Sequence, residues 1–343
     1  MDSNKTNYSP ISPIKSKTIG IFLLLCLLVT SDNYAGVFKC KNTSGQTTFQ
    51  DRACLKKPSP PASESDADKR GNHTGKHFLW KATSNETTIH LLGSVHVGSS
   101  DMYPLAPVIT TAYETADTLV VEVNADDEQL GAATKKLLAL GRYDDGTTLQ
   151  DNISTETWEK LSKVAARKKL NLDTLKTQKP WMITLALAQL MIRDSGFSPK
   201  LGIDRYFIIG AKNKKPILEL ESADEQIALL SQFSKLEQDK LLLQTLNELD
   251  QGPQYFKEMI AAWQNGDAQK LHQLTTRDID SEPAFKAIYN ALFTQRNHSM
   301  ATKIDQLVQT GGSYFVIVGS GHMVGSEGIV QLLKNKGYEL TQL

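Results

Sequence analysis

The sequence predicts an α/β fold, a central and largely parallel sheet flanked by helices and carrying an inserted helical block. Three observations carry this expectation. The segments "TTIHLL" (87–92), "TLVVEV" (118–123), "PILEL" (216–220) and "YFVIV" (314–318) are short, nearly continuous apolar runs. Strands covered on both faces read this way, whereas half-exposed strands alternate. A helical pattern, "LAPVITTAYETA" (105–116), stands between the first two and makes a βαβ unit. Residues 224 to 310 are mostly helical by pattern, as in "DEQIALLSQFSKLEQDKLLLQTLNEL", where apolar residues recur at threes and fours.

Taken in order, residues 1–35 have the layout of a secretory signal. Lys15 and Lys17 precede the uncharged stretch "IGIFLLLCLLV", then polar residues, then the small pair Ala35 and Gly36. The apolar stretch is shorter than the about 20 residues that span a bilayer. The expected location is therefore outside the cytoplasm, in the periplasm or cell envelope, with an uncleaved N-terminal anchor as the alternative. Leu25 before Cys26 does not fit a lipidation signal, which wants a small residue there.

Residues 36–56 read as a small β-hairpin module, with "NTSG" as its turn and "QTTFQD" as its second strand. Cys40 and Cys54 are the pair left once the signal is removed, and in an oxidising compartment a disulfide is the leading expectation. A staple of that loop size contributes about 3 kcal/mol on the chain-entropy account. The run of Phe38, Lys39, Cys40, Gly45, Phe49, Asp51 and Cys54 resembles a small module found near the N-terminus of bacterial envelope proteins. Residues 57–76 follow, rich in Pro, Ser and charge and without large apolar residues, and read as a linker. His73 and His77, at or beside it, are expected to be solvated.

Residues 77–343 form the large α/β unit. Lys+Arg and Asp+Glu both number 38, so no overall field recruits nucleic acid. No membrane span is expected after signal removal, and the oligomeric state is not legible.

The chemistry concentrates at strand ends. "GSVHVG" (93–98) follows the first predicted strand and "GSGHMVG" (319–325) follows the last, each placing a histidine three residues after a glycine. Ligands of open α/β sheets bind beyond the carboxyl ends of strands. His96 and His322 both fall there, and Glu122 lies among valines near the end of its own strand. A carboxylate in such company needs a partner, a proton or a cation. Two imidazoles and a carboxylate suit a divalent ion such as Zn, Mn, Co or Fe. Either histidine alone reads as a hydrogen-bonding turn residue; the repeated motif together with Glu122 sets a metal site beside that reading. Ser94 and Ser320 are weaker nucleophile candidates. The sequence contains no His-Glu-x-x-His and no Gly-x-Ser-x-Gly. "GSGHMVG" lacks both the glycine spacing and the following acidic strand of a dinucleotide loop.

These landmarks, in order, resemble the TraB/GumN/PrgY family, which includes the Tiki proteases. The matching stretches are "HLLGSVHVG", "ADTLVVEVN", "GIDRYFIIGAKNKKPILELESADEQIALL", "TQRNHSMATKI" and "VGSGHMVGSEGIVQLLKNKGYEL". The resemblance implies a fold related to erythromycin-esterase-like and ChaN-like proteins and a metal-dependent hydrolase acting on peptides or polypeptides, with Mn or Co as the ion, Zn remaining open from the ligand types. Carried onto this chain, His96, His322 and Glu122 bind the metal, or Glu122 is the base that activates water. Arg296 would stabilise an oxyanion, and Asp204 or Glu221 would orient a ligand. A non-catalytic protein that sequesters a peptide, haem or metal is the alternative, followed by a metal-dependent esterase.

Overall fold

Two short strands, β1 (Phe38–Lys41) and β2 (Thr47–Gln50), pair antiparallel with Phe38 opposite Gln50 and Lys41 opposite Thr47. The computed structural model describes residues 38–41, 47–50, 75–84, 87–124, 127–277 and 279–343. The expected signal segment, Cys54 with its pairing to Cys40, and the linker up to residue 74 lie outside the described residues.

The α/β unit begins with β3 (Leu79–Ser84) and β4 (Thr87–Ser94), followed by α1 (Pro107–Thr115) and β5 (Thr118–Val121). Five helices come next: α2 (Asp127–Leu140), α3 (Thr155–Lys168), α4 (Leu172–Lys176), α5 (Pro180–Ser195) and α6 (Ile203–Ala211). After β6 (Ile217–Glu219) run α7 (Ala223–Gln232), α8 (Lys235–Glu248), α9 (Gly252–Gln264), α10 (Ala268–Thr275), α11 (Pro283–Tyr289) and α12 (Gln295–Gln309). The chain closes with β7 (Gly312–Gly319), α13 (Ser320–Met323), α14 (Ile329–Asn335) and β8 (Leu340–Gln342).

Six strands form one sheet in the order β6-β5-β7-β4-β3-β8. The four predicted strands are β4, β5, β6 and β7, and their three pairings are parallel. The expected parallel strands are thus present, and the sheet as a whole is mixed, because β3 joins β4 and β8 joins β3 antiparallel. Neither added strand is a continuous apolar run. β3, "LWKATS", exposes Lys81 between buried neighbours, and β8 is only "LTQ".

Sheet and helices share a core. Phe315 of β7 meets Tyr113 of α1 and Phe207 of α6 at ring-centroid distances of 5.7 and 5.1 Å. Met300 and Ile304 of α12 and Ile329 and Leu333 of α14 belong to the same cluster. Helices α2 to α5 extend the helical part well beyond the expected block, because α5, "PWMITLALAQLMIRDS", is apolar nearly all round and must be enclosed. Trp181 and Leu185 join one cluster with Ile227 and Phe293, while Ile183 and Leu187 join another with Leu242 and Phe256. No helix among the described residues is long and apolar enough to cross a membrane.

Reciprocal caps start two of these helices. Glu225 N donates to Ser222 Oγ (3.2 Å) while Ser222 N donates to Glu225 Oε2 (2.7 Å). Ser234 and Glu237 repeat the arrangement at the same distances. Each box satisfies two otherwise orphaned donors. The first also fixes the turn between β6 and α7, where Glu221 stands, and the start of the helix that carries Gln226.

Candidate functional site

Register brings the strand ends to one rim. Ser94 pairs with Gly319 between β4 and β7, and Val121 pairs with Ile317 and with Glu219. Glu122 follows directly: its N–H donates to Ile317 O (3.0 Å) and its carbonyl accepts from Glu221 N (2.8 Å). The two glycines of the repeated motif do different work. Gly93 is held in the ladder by its N–H on Phe78 O (2.9 Å), and a Cβ there would stand 2.4 Å from the Phe78 ring, so this glycine admits a core side chain. A Cβ on Gly319 would instead stand 3.2 Å from His96 Nε2, 3.4 Å from Glu122 Oε2 and 3.5 Å from His322 Cδ2. The second glycine therefore leaves a methyl-sized cradle facing both imidazoles and the carboxylate.

His96, Glu122, Asp204, Glu221, Arg296 and His322 are all buried, none more than 9% exposed. The loop after β4 is tied to the entrance of α6, Ile203 N donating to Val95 O (2.9 Å) and Gly98 pairing with Ser198. This places Asp204 Oδ1 3.1 Å from His96 Nδ1, an ion-pair separation without the alignment of a formed hydrogen bond. On the other side His322 Nδ1 lies 2.5 Å from Asn297 Oδ1, and Asn297 is itself anchored by donating to Glu327 O (2.7 Å). An amide oxygen only accepts, so His322 carries its proton on Nδ1 and leaves Nε2 as a lone pair. Phe293 packs against the same ring with centroids 5.1 Å apart.

Arg296 occupies the middle of the network. Nη2 donates to Glu122 Oε1 (2.6 Å), Nε donates to both Glu221 oxygens (2.9 and 3.0 Å), and Nη1 donates to Leu292 O (2.9 Å). Nη1 also stands 3.2 Å from His322 Nε2. The Leu292 carbonyl belongs to a π-helical turn, Asn290–Thr294, joining α11 to α12. Gln226 Nε2 bridges the two glutamates at 3.0 and 3.2 Å, and Gly319 N donates to Glu122 Oε2 (2.9 Å).

The electrostatics follow from this geometry. Burial alone would raise the Glu122 pKa. The neighbouring His322, Arg296 and His96 side chains, together with the Gly319 N–H, hold it well below the usual carboxylate range. Burial, aided by Arg296, pushes His322 down to about 3, so its ring is neutral at physiological pH. Burial also opposes a proton on His96, but the carboxylates of Asp204 and Glu122 outweigh it and raise that pKa. Glu122, Asp204 and Glu221 face one guanidinium and the His96 ring, so even with a proton on His96 the carboxylates outnumber the cations among these side chains.

Every site residue predicted from sequence falls in this cluster. Gln226 and Asn297 were visible only as positions within matching stretches, and Phe293 carried no signal at all. Among the described residues no three His, Cys, Asp or Glu side chains stand in ready coordinating geometry. Arg296 takes the edge that Glu122 and His322 would share, and His322 Nε2 is 3.9 Å from Glu122 Oε1. The donor chemistry nevertheless fits a divalent cation: His96 Nε2 and Glu122 Oε2 border the Gly319 cradle, the His322 ring meets it at Cδ2, the carbon bonded to Nε2, and both imidazoles have outer partners on Nδ1. Of the remaining histidines, His298 pairs with Glu327 at 2.7 Å on the surface. His77, expected to be solvated, is half-buried because its backbone pairs with the C-terminal strand.

Access is narrow. A cavity of about 10 Å³ lies among Ser94, His96, Phe293, Gly319, Ser320 and His322, room for one water or ion. A wider pocket of about 200 Å³ reaches the guanidinium side, bordered by Glu221, Gln226, Arg296, Ser299 and Lys303.

The sheet rim, the repeated motif and the buried network define a class, and the chain belongs to the TraB/PrgY/gumN family, whose model matches residues 78–342. Among similar proteins is the uncharacterized protein YbaP of Escherichia coli (strain K12), 28% identical over 269 residues, 76% of this chain and 94% of that protein. YbaP of Shigella flexneri matches to the same extent. An uncharacterized protein of Treponema pallidum (strain Nichols) is 22% identical over 271 residues, 76% of this chain and 81% of its own. No solved structure matches the chain.

Proposed function

We propose that this protein is a metal-dependent hydrolase of peptide bonds, with His96, His322 and Glu122 holding a divalent ion at the Gly319 cradle. The observation that carries the reading is that cradle: a site that a single methyl would fill, bordered by two imidazoles and a carboxylate and carrying excess negative charge. A bound Mn, Co or Zn ion supplies Lewis acidity and a water acidic enough to react near neutral pH. The chain's own groups prepare for it. Asp204 backs His96 on Nδ1 so that Nε2 faces the cradle, and Asn297 fixes the tautomer of His322. A carboxyl group held as low as Glu122 is a poor proton acceptor at neutral pH and a good ligand, so we assign it to the ion. Every guanidinium nitrogen of Arg296 is already engaged, which favours holding Glu122 and Glu221 over service to an oxyanion. The N-terminal signal-like segment supports placing this chemistry in the cell envelope.

Elemental analysis of the purified protein tests the site: one bound ion per chain in the wild type and none in His322→Ala. Cleavage of a peptide library, lost in His96→Ala, tests the reaction; equal cleavage by both proteins would refute catalysis here. One observation favours a second reading, metal or small-ligand sequestration without turnover. The two imidazoles are 6% and 0% exposed and share a cavity of about 10 Å³, which does not admit a polypeptide. A retained ion without cleavage would support that reading.

A further inference from the structure

Ser94 and Ser320 stand at equivalent places in the repeated motif, each directly after its glycine. Both are 1% exposed, and neither hydroxyl has a hydrogen-bond partner among the described residues. Both line the cavity of about 10 Å³ that His96 and His322 also border, closed on another side by Phe293. The parallel register explains the meeting: Ser94 pairs with Gly319, and Ser320 is the next residue on that strand's exit. One buried hydroxyl without a partner is an expensive irregularity, and two on the wall of one small cavity point to something that satisfies both. A hydroxyl gives and takes one hydrogen bond with equal ease, and a space of this size holds a single water with several polar partners.

We infer that Ser94 and Ser320 together form the berth of one buried water, held between the two imidazoles. The cavity has room for one water or ion, so this water takes the space that the metal-ligand reading gives to the ion, and the serines hold it there in the metal-free protein. Its displacement by an ion rests on the proposed hydrolase function, while its binding does not. The two serines are thus positioning residues for water.

High-resolution crystallography of the metal-free protein should show density for one water within hydrogen-bond distance of both Oγ atoms. In the metal-free state Ser94→Ala and Ser320→Ala should each lower Tm by about 2–4 °C, the shift of losing a satisfied buried hydrogen bond in a domain of this size. The double variant should fall by less than the sum of the two, because both singles remove partners of the same water. A cavity without density, or single variants whose Tm is unchanged or higher, would overturn the inference, since deleting a hydroxyl that has no partner relieves a burden. None of these measurements uses turnover. A bridging water in a protein that cleaves nothing would leave the berth standing and defeat the hydrolase reading alone.

Discussion

At Arg296 one guanidinium compensates two buried carboxylates, and taking it away would strand both. Arg296→Ala is expected to lose about 3–5 kcal/mol, the scale for breaking a buried ion pair from one side. Urea unfolding measures this, and a loss under about 1 kcal/mol would mean that the glutamates find relief elsewhere. The two imidazoles should titrate in opposite senses. For His322, whose folded pKa is pushed from 6.5 to about 3, the unfolded chain takes the proton more readily, so its contribution to stability falls as pH drops below 6.5. For His96, whose folded pKa is raised above 6.5, the contribution is full below 6.5 and is lost as pH rises through the raised value. Nitrogen NMR of the metal-free protein at pH 5 should therefore show His96 as imidazolium and His322 neutral with its proton on Nδ1. A charged His322 ring under those conditions would contradict the geometry. An ion entering the site must displace the proton of His96, so its affinity should rise with pH.

Between elements, what matters is the register of β4 against β7, which sets Ser94 beside Gly319 and turns both exits toward Glu122. Gly319 has φ −48° and ψ 133°, values any residue adopts, so alanine there meets no backbone objection. Its methyl would instead stand in the cradle. Gly319→Ala should fold with a Tm within about 4 °C of wild type, while its ion affinity by calorimetry drops at least ~tenfold. Unaltered affinity would place the ion elsewhere. The π-helical turn before α12 belongs at this scale too. It supplies the Leu292 carbonyl that receives Arg296 Nη1, and it seats Phe293 against His322. Such turns concentrate where a helix must aim a side chain rather than only pack.

Across the whole α/β unit, its beginning and end are tied together. His77 N donates to Leu343 O, Leu343 N donates to Leu79 O (2.9 Å), and β8 completes the edge beyond β3. Deleting residues 340–343 should lower stability by about 1–3 kcal/mol, because it removes a strand and leaves β3 as an uncovered edge. Thermal unfolding checks this, and an unchanged Tm would show β8 to be ornamental. The charge balance belongs here as well. Positive and negative side chains are equal in number, at 38 each, yet the site gathers more carboxylates than cations. The excess is local and owes nothing to composition.

The sequence by itself determined the four parallel strands, the placement of His96 and His322 beyond two of them, and Glu122 at the end of a third. Those are local signals, apolar runs ending in glycine, and the sheet rule converts them into one rim. Only the tertiary structure decided how that rim is wired. Arg296 reaches across 174 positions to Glu122, and Gln226 across 104, on helices whose sequence pattern fixes their buried faces but not their neighbours. The antiparallel strands β3 and β8 escaped notice for a related reason, since alternation and brevity leave no continuous apolar run to detect. Protonation followed wiring: His96 and His322 stand in near-identical motifs, yet one faces two carboxylates and the other an amide and a guanidinium. Periodicity is written along the chain, whereas electrostatic partnership exists only after the chain has folded.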